Sequence, residues 1–135
     1  NKLAPQAVFV DVVGLGSGVV DRLRQLGHQV IGVNSGARPR RPHKFANLKA
    51  EMWSQMRDWL QEGAAIIDDQ NLKADLLAPL YSYDLNGRLK IESKDELKKR
   101  VRFSPDLADA LALTFAQPVV SADIAARRPR TYEMN

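Results

Sequence analysis

A nearly continuous apolar run at residues 7–13, followed at once by a glycine-rich turn, constrains the fold most strongly. The run reads AVFVDVV, as expected of a strand buried on both faces of a sheet. Residues 14–18 form the turn, residues 19–26 have a helical pattern that ends at Gly27, and residues 29–34 form a second apolar run. A strand, a crossover helix and a second strand predict a βαβ unit with parallel strands.

The rest of the chain predicts helices around one hairpin, which gives an α/β fold class. A loop rich in proline and arginine occupies residues 35–43. The predicted elements after it are a helix at 44–62, a short helix capped by Asn71 and ending near 78, hairpin strands at 80–83 and 88–92 around Asn86-Gly87, a helix started by a capping box at Ser93, and a helix running from Ser104 to 116.

Composition favours a single globular domain. The chain has 135 residues, 44% of them hydrophobic and 27% charged. It has no cysteine, which excludes disulfides and thiolate metal sites. No apolar run approaches the roughly 20 residues that span a bilayer, so no membrane partner is expected. A net charge of +4 only mildly favours a polyanionic partner.

The helix after Ser104 combines an apolar body with two acids in its first turn. Ser104 is predicted to cap it, and Pro105 suits the first helical position. Asp106 and Asp109 are three residues apart, so they project from one face. They are either a helix-capping acid and a surface acid, or ligands of a metal ion.

Asp11 is an acid inside an apolar strand, where burial is costly unless the charge is paired or bound to metal. It either caps the glycine turn or faces a crevice at the carboxyl end of the strand. If Asp11, Asp106 and Asp109 converge, their oxygen ligands favour Mg²⁺ or Mn²⁺. Two such ions about 4 Å apart can activate water and stabilise the leaving oxygen in phosphodiester cleavage.

A nucleotide-binding function is a weaker alternative. The turn has the spacing G-x-G-x-G rather than G-x-G-x-x-G, and the second strand ends in Asn34 instead of an acid. The glycines are then needed only for close packing of the helix on the strand.

Four ordered motifs resemble the nuclease domain of the large terminase subunit of tailed bacteriophages. They are VFVDVVGLGSGVVDRL, KFANLKAEMW, LKIESKDELKKR and SPDLADALALTFA, between about Ala7 and Ala116. The resemblance implies a ribonuclease H-like mixed sheet flanked by helices, and a two-metal endonuclease that cuts concatemeric double-stranded DNA. It also implies portal and small-terminase partners in a full-length protein, in the cytoplasm of a bacterial host.

The resemblance assigns Asp11, Asp106 and Asp109 to the catalytic metal site. It places Lys94 near the site or near a DNA phosphate, with a structural role as the alternative, and it leaves the NLKAEMW stretch to packing.

The sequence departs from the family pattern at its start. The family's first catalytic aspartate precedes the segment matching Ala7, and no nucleotide-binding G-x-x-x-x-G-K-[ST] motif occurs. We therefore expect residues 1–116 to be a nuclease domain without its N-terminal strands, residues 117–135 to be a tail, and cleavage by the chain alone to be weak or absent. An exposed strand edge could then pair two copies.

A non-catalytic DNA-binding or motor-assembly module is the main alternative. Its DNA contacts would come from cationic side chains, and its binding would depend on salt but not on metal. The candidates for DNA contact, in either function, are Arg38, Arg40, Arg41, Lys94, Lys98, Lys99 and Arg100.

Overall fold

The computed structural model describes residues 4–120, so most of the predicted tail lies outside the described residues. Within residues 4–120, no helix is long and apolar enough to cross a membrane. The elements in chain order are β1 (Phe9–Asp11), α1 (Gly16–Gln25), β2 (Ile31–Val33), α2 (Leu48–Gln61), α3 (Gln70–Leu77), β3 (Tyr81–Tyr83), β4 (Leu89–Ile91), α4 (Lys94–Val101) and α5 (Asp106–Leu113).

The predicted βαβ unit is confirmed. Strands β1 and β2 pair in parallel, with Asp11 opposite Val33. Helix α1 begins at Gly16 rather than at Val19, inside the glycine turn. A Cβ atom on Gly16 would overlap the carbonyl oxygen of Asp11, so a glycine at this position lets the helix start directly against the end of the strand.

The predicted hairpin is also confirmed, since β3 and β4 pair antiparallel. Helix α2, however, begins at Leu48 and not at residue 44. The preceding residues pair with the hairpin instead. Ala46 N donates to the carbonyl of Leu89, and Phe45 forms an isolated parallel β-bridge with the same leucine. Asn47 then caps α2 by accepting a hydrogen bond from Ala50 N.

Helix caps at α3 and α4 come from acidic and hydroxyl side chains. The cap of α3 is Asp69, which accepts from Leu72 N, so the prediction of Asn71 is wrong. Asp69 precedes the first turn, where its carboxylate can reach an unpaired backbone N–H. The predicted capping box of Ser93 and Glu96 at α4 is present.

The cap predicted for α5 is wrong. The helix begins at Asp106, and Ser104 donates its hydroxyl to Asp106 Oδ1 instead of accepting from the backbone. The acceptor for the first turn of α5 comes from α3, where the buried carboxylate of Asp75 accepts a hydrogen bond from Leu107 N at 2.9 Å. A long-range contact therefore fixes the start of the helix that carries both acids.

The core lies where α2 packs against α5 and against β4. Its buried members are Val33, Met52, Trp53, Met56, Ala108 and Ala112. Ala108 and Ala112 are 0% and 1% exposed, and side chains of this size let the two helices approach closely.

A buried carboxylate on α2 fixes the arginine-rich loop. Glu51 is 1% exposed and accepts the backbone N–H groups of Arg40 and Arg41, each at 3.0 Å. The Arg41 guanidinium lies 3.5 Å from the same carboxylate. A buried charge is tolerated when it is paired and hydrogen-bonded in this way.

Replacing Glu51 with Gln is expected to lower the free energy of unfolding by about 3 kcal/mol, because one backbone N–H then faces an amide donor. Urea denaturation of Glu51→Gln tests this. Glu62→Gln is the matched control, since Glu62 is exposed at the end of the same helix. Equal stability of the two variants would show that the buried carboxylate contributes little.

Candidate active site

The three acids predicted to form the site line one cavity of about 520 Å³. Asp11 comes from the carboxyl end of β1, and Asp106 and Asp109 come from the first turn of α5. Two lysines, Lys49 on α2 and Lys94 on α4, line the same cavity. The structure therefore brings together side chains that are far apart in the sequence.

Asp11 is the last residue of β1, and its carboxylate does two things. Oδ1 accepts the backbone N–H of Val13 at 2.9 Å, which stabilises the start of the glycine turn. The same side chain lines the cavity at the end of the parallel pair. The capping function and the crevice-facing position, considered as alternatives from the sequence, are thus compatible.

The two acids on α5 differ in exposure. The Asp106 side chain is 76% exposed, whereas that of Asp109 is 18% exposed. Asp109 Oδ1 accepts the indole N–H of Trp53 at 3.1 Å. Asp109 Oδ2 is buried and accepts no hydrogen bond from the described residues. Asp109 therefore has one fixed oxygen and one buried oxygen without a donor.

Lys94 provides a counter-charge for both α5 acids. Its Nζ lies 3.3 Å from Asp109 Oδ2 and 3.9 Å from Asp106 Oδ1. The contact with Asp109 is an ion pair and not a hydrogen bond. The capping box at Ser93 places Lys94 at the first position of α4.

Lys49 is half-buried in the first turn of α2. Its Nζ donates to the backbone carbonyl of Glu92 at 3.3 Å. Burial lowers the pKa of Lys49, and the neighbouring Lys94 lowers it further. The negative charges of Asp109, Asp11 and Glu92 act in the opposite direction, in that order of size.

The carbonyl that holds Lys49 is itself fixed by an ion pair. Arg100 donates to both carboxylate oxygens of Glu92 and to the carbonyl of Ala78. Hydrogen bonding from Arg100 lowers the pKa of the Glu92 carboxyl. This contact ties α4 to the end of β4, next to the cavity.

Of the cationic side chains predicted to contact DNA, only Lys94 lines the cavity. Arg41 pairs with Glu51 and lies over the Phe45 ring, and the Arg40 side chain donates to the carbonyl of Ala116. Arg100 is held by Glu92. Arg38, Lys98 and Lys99 are exposed and make no side-chain hydrogen bond or ion pair with the residues that the structure describes.

No group of three or more His, Cys, Asp or Glu side chains within residues 4–120 is close enough to hold a metal ion. The three acids share a cavity without forming a closed ligand cluster. Lys94 lies within ion-pair distance of two of them.

Sequence reasoning missed Lys49 and Trp53, because the NLKAEMW stretch was assigned to packing. Trp53 falls slightly off the apolar stripe of α2, and Lys49 lies in a first turn that follows the loop after β2. An off-stripe tryptophan and a lysine near a strand's carboxyl end are weak signals. Only the packing of α2 on α5 shows that both face the acids.

No protein-family model matches the chain, and a comparison with curated protein sequences finds no match.

Solved structures show what the fold is. It is the fold of a viral terminase nuclease domain, which confirms the expected α/β, ribonuclease H-like fold class. Among residues 4–120, the strands form one parallel pair and one antiparallel pair flanked by helices.

Among the matching structures are nuclease domains of the large terminase subunit gp2 of bacterial virus Sf6. The nuclease domain matches with a TM-score of 0.67 and 20% identity over 82% of this chain and 64% of that one. A lysine-to-alanine mutant with manganese matches with a TM-score of 0.66 and 20% identity, over 82% and 65%. The same mutant with calcium matches with a TM-score of 0.66 and 20% identity, over 82% and 64%. The chain therefore spans slightly less than two thirds of the length of these structures.

The hydrogen bond from Trp53 to Asp109 is expected to contribute to stability. In a double-mutant cycle, Trp53→Phe and Asp109→Ala should show a coupling of about 1–2 kcal/mol in unfolding free energy, since the acceptor is charged and largely buried. Chemical denaturation of the wild type, both single variants and the double variant gives this value.

Trp59→Phe paired with Asp109→Ala is the matched control, because the Trp59 ring packs edge-on against Phe115. We expect its coupling to Asp109 to be close to zero. Equal coupling for the two tryptophans would argue against a specific bond to Trp53.

Proposed function

We propose that the chain belongs to the nuclease domain of a phage or prophage large terminase subunit, a domain that hydrolyses double-stranded DNA with divalent metal ions, and that the chain alone cleaves DNA only weakly or not at all. In this proposal residues 1–116 form the nuclease domain and residues 117–135 form a tail. The metal ligands are Asp11, Asp106 and Asp109.

The observation that carries the proposal is the shared cavity. Three acids singled out from the sequence, on β1 and on α5, line the same space at the carboxyl end of a parallel strand pair. Sites of α/β proteins lie at this end. The structural neighbours of the same fold include nuclease domains with manganese and with calcium.

The chemistry of the cavity fits a hard divalent cation. Each acid accepts a protein hydrogen bond on Oδ1, from Val13 N, Ser104 Oγ or Trp53 Nε1. The buried Asp109 Oδ2 has no such donor among the described residues. Carboxylates oriented by a hydrogen bond on one oxygen are typical of metal ligands. The cation would have to compete with Lys94 for Asp106 and Asp109.

In this mechanism the residues of the chain orient the three acids and supply positive charge beside them. Trp53 holds Asp109, the turn amide of Val13 holds Asp11, and Asp75 fixes the start of α5. When bound, the metal ions supply activation of water and stabilisation of the leaving oxygen in phosphodiester hydrolysis. Lys49 and Lys94 place positive charge where a DNA phosphate would approach the acids.

The partners follow from the same proposal. The substrate is concatemeric double-stranded DNA, and the portal and small terminase subunit act with the full-length protein in the bacterial cytoplasm. Strand β1 pairs with β2 and with no other strand among residues 4–120, so its second edge is a candidate for pairing with another copy.

Nuclease activity is expected to require all three acids. Asp11→Asn, Asp106→Asn and Asp109→Asn should each lower Mn²⁺-dependent nicking of supercoiled plasmid by at least about tenfold, since each removes a charged ligand. Calorimetric titration with Mn²⁺ should show weaker binding by Asp109→Asn.

Asp21→Asn is the matched control, because Asp21 is an exposed acid on α1 and its loss changes the net charge equally. Unchanged nicking in all three site variants would contradict the proposal. Binding of DNA that depends on salt alone, without nicking or Mn²⁺ binding, would instead favour the DNA-binding module.

A further inference from the structure

Two lysines line the acidic cavity, and they are held in different ways. Lys94 lies within 4 Å of the carboxylates of Asp106 and Asp109. Lys49 Nζ has no carboxylate oxygen of the described residues within that distance, and its hydrogen bond goes to the neutral carbonyl of Glu92. Lys94 is therefore paired with carboxylates at close range, whereas the charges of Asp109 and Asp11 act on Lys49 from more than 4 Å away.

The backbone holds Lys49 at the edge of the site. Lys49 N donates to the carbonyl of Ser35 at 2.9 Å, and Leu48 N donates to that of Ala37. These bonds attach the first turn of α2 to the loop after β2, at the end of the sheet where Asp11 lies. The carbonyl of Glu92 then fixes the end of the Lys49 side chain by accepting one of the three N–H donors of its ammonium group.

We propose that Lys49 binds a phosphate group of the DNA backbone within the acidic cavity. The inference rests on the proposed nuclease function, since it names the part of the substrate that Lys49 contacts. Lysine binds phosphate as a compact charge, and two of its N–H donors are not needed for the bond to Glu92. Because three carboxylates repel a phosphate, the positive charge of Lys49 beside them adds to the attraction that bound metal ions would supply.

Burial makes this contact stronger than one on the open surface. Lys49 is half-buried, so less water reaches its ammonium group than on the open surface, and this burial lowers the pKa of Lys49. A charge in a poorly solvated place interacts more strongly with an anion than an exposed one does. Lys98 and Lys99, which are exposed on α4, lack this advantage.

DNA affinity and its salt dependence test the proposal. Fluorescence anisotropy with a labelled 20-base-pair duplex in Ca²⁺ measures both for the wild type and for Lys49→Met, which keeps the straight apolar part of the side chain. We expect affinity to fall about five- to thirtyfold, and the slope of log K against log salt to become shallower by about 0.9, the value for one phosphate contact. Lys49→Arg should restore most of the affinity.

Lys73→Met is the matched control, since Lys73 is exposed on α3 and its loss changes the net charge equally. It should bind DNA like the wild type. Calorimetry with Mn²⁺ supplies a second readout: Lys49→Met should keep or increase Mn²⁺ affinity, because a positive charge near the acids is removed. A structural role for Lys49 would lower Mn²⁺ and DNA affinity together, and that result would overturn the proposal.

The remaining outcomes are also decisive. If Lys49→Met binds DNA with the affinity and salt slope of the wild type, the proposed role of Lys49 is overturned while the nuclease proposal stays intact. Failure of the wild type to bind either DNA or Mn²⁺ would overturn the nuclease proposal itself. If Lys49→Met does not fold, acetylation footprinting of the wild type decides: protection of Lys49 by DNA supports the contact, and unchanged reactivity overturns it.

Discussion

Ala108 and Ala112 let α5 lie directly against Met52 and Met56 of α2, and the acidic cavity depends on that packing. Because both alanines are almost completely buried, a larger side chain at either position would push the helices apart. The separation would move the indole of Trp53 away from Asp109. The same close packing that forms the core therefore also orients one of the acids.

Each of the three acids of the cavity accepts a hydrogen bond, two from neighbouring residues and one from another helix. Val13 N binds Asp11 within the glycine turn, and Ser104 binds Asp106 beside the helix start. Trp53 binds Asp109 from another helix. Oriented carboxylates pay little entropy when they bind a cation, since their rotamers are already restricted. The surroundings of the acids thus favour ligand binding even though the acids do not form a closed cluster.

Local patterns in the sequence predicted the elements and the acids, but not the contacts that join them. The βαβ unit, the hairpin and the capping box at Ser93 follow from periodicity and turn chemistry over a few residues, and the structure has all three. The prediction that Ser104 caps α5 was wrong because the acceptor for the start of that helix, Asp75, lies on a different helix. Lys49 and Trp53 were missed for the same reason: their partners are distant in the chain, and no local pattern reports a distant partner.

The different anchoring of the two lysines has a consequence for the proposed chemistry. Lys94 would give up its ion pairs as a divalent cation entered the cavity, because both groups compete for Asp106 and Asp109. Lys49 would keep its position, since its partner is the carbonyl of Glu92 and that residue is fixed by Arg100. The site would then retain one ammonium group beside the ligand acids. A phosphate arriving after the cation would meet a cavity in which that charge is already in place.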